Sequence, residues 1–307
     1  MFQTLLTITP LFLIIFGSAL LVKLKLIKEH WAGPLNAFAL SVGLPALVLS
    51  TLSKHTFSLT KDGTTILVNA IFILSVFLLT LLFSYLLRLK KPLRRTLFLC
   101  APFGNVAFLG VPIIYSVLGE KALPTASILI AVYLFLVFTI AIGYLEYSLH
   151  GSHQHAAKET LKKIAINPIL LAAVIGIGIS FFHLPIPKAI VSAIDMLASS
   201  VTPVVLVVIG IFIGSSSIGK IKEWIPVGIF SLFTLLLLPG LFIVFLFITG
   251  FSLSTHTASV IDAAMPLAIT PFALADQYRL EKQFIARAIV LSTVLSVITV
   301  PFWIAML

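Results

Sequence analysis

Residues 103–113, FGNVAFLGVPI, lie inside an apolar run yet carry two glycines, an asparagine and a proline where a membrane helix is normally continuous. Pro112 has no N–H for the helical ladder and disfavours helical geometry at Val111, while Gly104 and Gly110 let the backbone leave the helix without a side-chain clash. The stretch reads as a broken helix. Unsatisfied backbone groups in hydrocarbon cost several kcal/mol each, so such a break survives only where protein or a water-filled cavity receives it. A second break, MPLAITPF at 265–272, carries Pro266 and Pro271. Two interrupted spans in corresponding places of two halves point to the substrate site of a carrier. Gly104, Asn105, Gly110, Pro112, Pro266, Thr270 and Pro271 are therefore the candidate substrate-binding residues.

Composition sets the class around these breaks. Of 307 residues, 60% are hydrophobic and 10% charged, far from the roughly 25% charged of soluble domains. With a mean hydropathy of +1.19, the chain is an all-α polytopic membrane protein. The first apolar run is followed rather than preceded by lysines and has no small-residue cleavage site, so it is expected to be a retained span. Cys100, the single cysteine, has no intrachain partner for a disulfide, and no thiolate metal site is expected.

The net charge of +10 does not indicate nucleic-acid binding, because the Lys and Arg residues cluster at the ends of apolar runs, where topology signals sit. Ten spans are expected, at about 5–22, 31–52, 64–87, 96–118, 123–147, 166–182, 189–214, 225–249, 257–277 and 284–304, each near the ~20 residues that cross a bilayer core. With the N-terminus outside, inward loops hold 16 Lys and Arg and outward loops only 4, namely Lys54, Lys61, Lys121 and Lys188. Both termini are then expected outside the cytoplasm, in the cytoplasmic (inner) membrane.

Five spans per half is an odd number, so the second half would be inserted upside down relative to the first. Faint echoes support that repeat: Thr9-Pro10 opening the first span with Gly17 after it against Asn167-Pro168 opening the sixth with Gly176 after it, Pro45 in SVGLPALV against Pro203 in SVTPVVLV, and the two breaks in the fourth and ninth spans. The expected organisation is a first five-span repeat over 1–148, a cytoplasmic linker over 149–165 and an inverted repeat over 166–307.

The segments GNVAFLGVP (104–112), DAAMPLAITPFALADQY (262–278) and STVLSVITVPFW (292–303) resemble the auxin efflux carrier family, whose bacterial members include malate and malonate permeases. The resemblance covers nearly the whole chain. It implies ten helices in two inverted repeats, the fold shared with bile acid:sodium symporters, with helices 1, 2, 6 and 7 as a scaffold. Helices 3–5 and 8–10 form a transport unit in which the broken helices 4 and 9 cross, and a homodimer forms through the scaffold. Plant members have an asparagine turn before a Gly-x-Pro and two prolines five apart, matched here by Asn105, Gly110, Pro112, Pro266 and Pro271. Their long central loop is missing here, as is their charged site on the third helix: no charged residue lies between Thr64 and Leu87.

In this orientation the outer half of the fourth span starts near Pro112 and the inner half of the ninth near Pro271. Each half-helix N-terminus offers free N–H groups and about half a positive charge, so two converging ends suit a carboxylate, with Asn105 adding an amide. The duller reading of Asn105 is that it satisfies carbonyls freed by the kink. Asp195 and Asp262 are the carboxylates read as lying inside spans, and an intramembrane carboxylate is a functional candidate by default. Asp262, about one turn before Pro266, is the preferred coupling residue, exchanging a proton with water on each side, and Asp195 is the second candidate. The alternative for each is a protonated or hydrogen-bonded Asp near an interface. Asp276 reads as a solvated end charge.

No cofactor is expected beyond a coupling ion, H+ first and Na+ as the alternative. His153-x-His155 lacks the neighbours of a metal site. Gly210-x-x-x-Gly214 reads as internal packing before a dimer face. No His-Glu-x-x-His, Gly-x-Ser-x-Gly or phosphate loop is present, so the chain is not expected to be an enzyme. A channel filter would repeat a carbonyl loop or a charge ring about an axis, and the single crossed site does not. The expected function is proton-coupled secondary transport of small organic anions by alternating access, with a sodium-coupled symporter or an uncoupled uniporter as the alternative and a channel or receptor after those.

Overall fold

The computed structural model describes residues 2–58, 60–151, 157–158, 160–162, 165–216 and 221–307. Among them every regular element is helical, apart from one isolated antiparallel bridge. The elements are α1 (Phe2–Lys23), α2 (Glu29–Ser53), α3 (Lys61–Leu86), α4 (Lys91–Cys100), α5 (Val106–Leu118), α6 (Glu120–Leu149), α7 (Pro168–Phe181), α8 (Lys188–Ser215), α9 (Lys222–Thr249), α10 (Thr257–Ala263), α11 (Thr270–Leu274) and α12 (Lys282–Ala305). Seven are long and apolar enough to cross a membrane: α1, α2, α3, α6, α8, α9 and α12; α5 and α7 are shorter apolar helices. Helices dominate because a segment without water must satisfy its own N–H and C=O groups. Their outer faces stay apolar: Phe247 is 87% exposed and Leu78 68%, a surface suited to lipid rather than water.

Proline positions explain three of the four π-turns among the described residues, the exception being Phe138–Ile142, which Gly143 follows. Wide π-turns at Ala39–Gly43, Val106–Gly110 and Phe233–Leu237 precede Pro45, Pro112 and Pro239. A proline ring crowds the carbonyl four residues back and brings no N–H; widening the turn relieves the clash while the helix continues. Helix ends are equally regular. Lys25, Arg88, His183 and Arg279 all have positive φ. Each is followed by a leucine whose N–H returns to a carbonyl five residues earlier, as Leu26 does to Leu21 and Leu184 to Ile179. Lys25, Arg88 and Arg279 bring a cation to the negative end of the helix dipole.

The helices pack in matching pairs. α1 runs along the Val201–Ser215 part of α8, and α7 along the Leu44–Ser53 part of α2; α3 packs on α6, and α9 on α12. Gly210 and Gly214 form the α8 side of the first seam, where a Cβ would fall 2.3 Å from the Ile15 carbonyl oxygen and 2.7 Å from that of Ala19. The small-residue stripe is consumed by internal packing, as the sequence reading favours.

Three sequence expectations change. α1 begins at Phe2, so Pro10 lies inside the helix rather than opening it; Asn167, its counterpart, does cap α7 by accepting from the Ile169 and Leu170 N–H groups. The second half of the fourth span starts at Val106 instead of Pro112, because the π-turn absorbs the proline. Glu146 joins the carboxylates inside spans: it is 4% exposed within α6 and accepts from the Tyr278 hydroxyl at 2.7 Å. Ser152–Ala156, Glu159 and Lys163–Ile164 lie outside the described residues, and with them part of the expected linker and the His153-x-His155 pair.

Candidate functional site

The two breaks satisfy each other. α4 ends at Cys100 and α10 at Ala263, and the chain beyond each is extended where they meet. The Asn105 N–H donates to the Pro266 carbonyl (2.7 Å) and the Ala268 N–H to the Phe103 carbonyl (3.0 Å), on either side of the antiparallel bridge between Gly104 and Leu267. The Leu267 N–H donates to Ser292 Oγ on α12 (3.1 Å). Each pairing removes an orphan that would otherwise cost on the order of 1–3 kcal/mol. α5 then departs from Asn105, whose carbonyl accepts from the N–H groups of Leu109 (3.0 Å) and Gly110 (2.9 Å). Its first N–H groups receive no side-chain cap from Asn105.

A cavity of about 40 Å³ lies beside the bridge, room for roughly three waters. Its polar lining comes from Asn69 of α3, Tyr133 of α6, Thr234 of α9, Ser259 and Asp262 of α10, and the backbone at Gly104. Asn69 Nδ2 donates to Ser259 Oγ (2.8 Å), joining α3 to α10. Asp262 and Tyr133 are each 9% exposed; Asp262 Oδ1 has no hydrogen-bond partner, and the Tyr133 hydroxyl lies against the Gly104 backbone. Buried polar atoms are nearly always paired, so an unpartnered carboxyl oxygen on a residue that lines the cavity marks a place for water or an ion. No Lys or Arg lines it.

The expected residues divide by position. Gly104 and Asp262 line the cavity. Asn105, 4% exposed, and Pro266 hold the bridge. Gly110 packs on the coupling candidate, since a Cβ there would lie 2.6 Å from Asp262 Oδ1. Pro112 is buried in α5 beyond the π-turn. Thr270 and Pro271 open α11, where Phe272 meets Phe212 of α8 edge to face, centroids 5.1 Å apart. α11 has five residues, too few for a strong dipole, so the expected pair of converging positive ends reduces mainly to the α5 end. Asp195 stands apart: its carboxylate accepts from Lys54 Nζ (2.7 and 2.9 Å) and Ser50 Oγ (2.5 Å) on α2, half exposed, and does not line the cavity. Asp276 is the expected exposed end charge, paired with Lys282. Sequence reasoning looked for a charge on the third span and so passed over Asn69; a lone asparagine within 26 residues of α3 was the available signal. Tyr133 and Ser259 carried none, because one hydroxyl in a helix is common.

A family model described as "Membrane transport protein" matches residues 4–304. Three relatives align along nearly their whole length. An uncharacterised transporter of Methanocaldococcus jannaschii is 24% identical over 91% of this chain and 90% of its own. A protein of Rhizobium meliloti provisionally named a malonate transporter is 26% identical over 95% and 92%. An uncharacterised transporter of Methanothermobacter thermautotrophicus is 24% identical over 96% and 95%. A polytopic helical chain with two mutually paired breaks, matched by that model from end to end, belongs to the membrane transport protein family, the auxin efflux carrier family its motifs resemble.

Proposed function

We propose that this protein is a secondary carrier of small organic anions, carboxylates first among them, that works by alternating access with proton coupling. The observation that carries the reading is the pair of hydrogen-bonded breaks beside a cavity holding the unpartnered Asp262 carboxyl. The anion binds at the uncapped start of α5 and the Asn105 amide, where free N–H groups and the dipole favour negative charge. The coupling proton binds Asp262 on the cavity side. The malonate name of one relative supports a carboxylate substrate.

Ten crossings in two inverted repeats fit the packing pairs. α1 on α8 mirrors α7 on α2, and α3 on α6 mirrors α9 on α12; α1 and α7 close alike, with Lys25-Leu26 and His183-Leu184. In this reading α1, α2, α7 and α8 are the scaffold, and the helices that line the cavity move against them as a unit. The termini lie outside the cytoplasm, as the charge split indicates. Homodimerisation through the scaffold is part of the same reading.

The test is counterflow of labelled malonate, and of a panel of mono- and dicarboxylates, in liposomes containing the purified protein. Saturable exchange supports a carrier; ohmic, non-saturating flux means a channel and ends the proposal. In the same assay Asn105→Ala is expected to weaken apparent affinity roughly ten- to a hundredfold, the ~1.5–3 kcal/mol of one hydrogen bond to a charged group, with expression and melting temperature little changed. A fall in stability with intact affinity would reduce Asn105 to a support of the kink.

A further inference from the structure

The C-terminal ends of α1 and α8 leave between them an open groove of about 490 Å³, lined by Lys23, Lys25, Lys28 and Glu29 at the α1 end and by Gly214 and Ser215 of α8. Three ammonium groups accompany one carboxylate there, and none of the three forms an ion pair among the described residues. Lys23 in the last turn of α1 and Lys25 just beyond it both sit at the negative end of the helix dipole, and three ammonium groups against the single Glu29 carboxylate leave a surplus of positive charge. Lys25 adopts a left-handed φ of 61°, a conformation that L residues other than Asn and Asp rarely take. The turn it makes exposes Leu24 and Leu26 beside it, 58% and 69%. α1 is apolar and long enough to span a bilayer, which sets this end at headgroup level with apolar side chains on its membrane side.

We infer that this groove binds the phosphate of an anionic phospholipid. The lysines contact the phosphate oxygens, and the exposed leucines, with Leu20 (57% exposed) further along α1, lie against the acyl chains. Basic pockets at the ends of membrane helices recognise such headgroups through point charges of this kind. The leucines distinguish the lipid from a soluble phosphate, which would gain nothing from them. The site lies on the α1–α8 pair, far in the chain from the breaks, and does not depend on the transport reading.

The experiment uses the full-length protein in neutral detergent with three probes: short-chain phosphatidylglycerol, short-chain phosphatidylcholine and inorganic phosphate. Binding is read by native mass spectrometry and by melting temperature, since a ligand of the folded state raises apparent stability. Phosphatidylglycerol is expected to bind and stabilise, and the other two to do neither. The Lys23→Gln/Lys25→Gln/Lys28→Gln variant is expected to lose this response, with each single change weakening binding about fivefold. Lys61→Gln/Lys121→Gln/Lys188→Gln, with equal charge loss elsewhere, is expected to keep it. Should the groove triple fail to fold, the single Lys25→Gln and the charge-conserving arginine triple decide: weakened binding in the first and retained binding in the second support the site. Unchanged binding in the groove triple, equal response to phosphatidylcholine, or competition by phosphate at equal concentration would each overturn the proposal.

Discussion

Two glycine seams in this molecule are both too tight for a side chain and do different things. At the seam between α1 and α8, Gly210 lies so close to α1 that an added Cβ would meet the Ile15 carbonyl at 2.3 Å and Ser18 Cβ at 2.6 Å. At the seam between α5 and α10, the Cβ added at Gly110 would meet Asp262 Oδ1 at 2.6 Å. In the first the neighbour is backbone, which cannot yield without moving a helix. In the second it is the end of a side chain beside a cavity, which yields by rotating. The same residue type therefore guards a rigid contact in one place and the position of a carboxylate in the other. The first should matter to folding and the second to function.

The largest effect is expected at the rigid seam. Gly210→Ala should destabilise the folded protein by about 3 kcal/mol, the upper end of overpacking costs, whereas Gly17→Ala, with nothing within 4 Å of its Cβ, should be neutral. Thermal melting in detergent reads both, and equal melting temperatures would remove the distinction. Next comes the carboxylate seam. Gly110→Ala and Asp262→Asn should each leave melting close to wild type while abolishing accumulation driven by a proton gradient, with Asp262→Asn retaining substrate exchange. If the Asn variant accumulates substrate with wild-type pH dependence, Asp262 is not the coupling residue, and replacing the proton gradient with a sodium gradient is the measurement that decides the alternative. The smallest effect belongs to the other carboxylate. Lys54→Gln removes an ion pair whose partners are 51% and 43% exposed, worth less than about 1 kcal/mol, and should change neither transport rate nor coupling; a loss of coupling would restore Asp195 to the mechanism.

Asp195 and Asp262 show how far one sequence can be read. Both are acids in apolar surroundings, and hydropathy ranks them alike. One meets Lys54 across the α2–α8 boundary, a residue 141 positions away, and the other meets no partner for Oδ1. No local pattern separates these cases, because the partner arrives from a distant element. Pro112 was misread for a related reason. A proline says that the backbone must give way nearby, but whether it gives way by a break or by a π-turn depends on what receives the freed groups. Here the Pro266 and Phe103 carbonyls receive the N–H groups of Asn105, seven residues before Pro112, and of Ala268 on the other break.

What the sequence determined alone was the chemistry that has no alternative in lipid. Long apolar runs must be helices and cations must gather at their ends, since each follows from the cost of exposing backbone or charge to hydrocarbon. Only the tertiary structure decided which breaks face each other, that Asn69 reaches Ser259, and that Asp262 and Tyr133 share a cavity while Asp195 does not. Those are distances between elements far apart in the chain, and they are set by how whole helices pack, which no single stretch of sequence encodes.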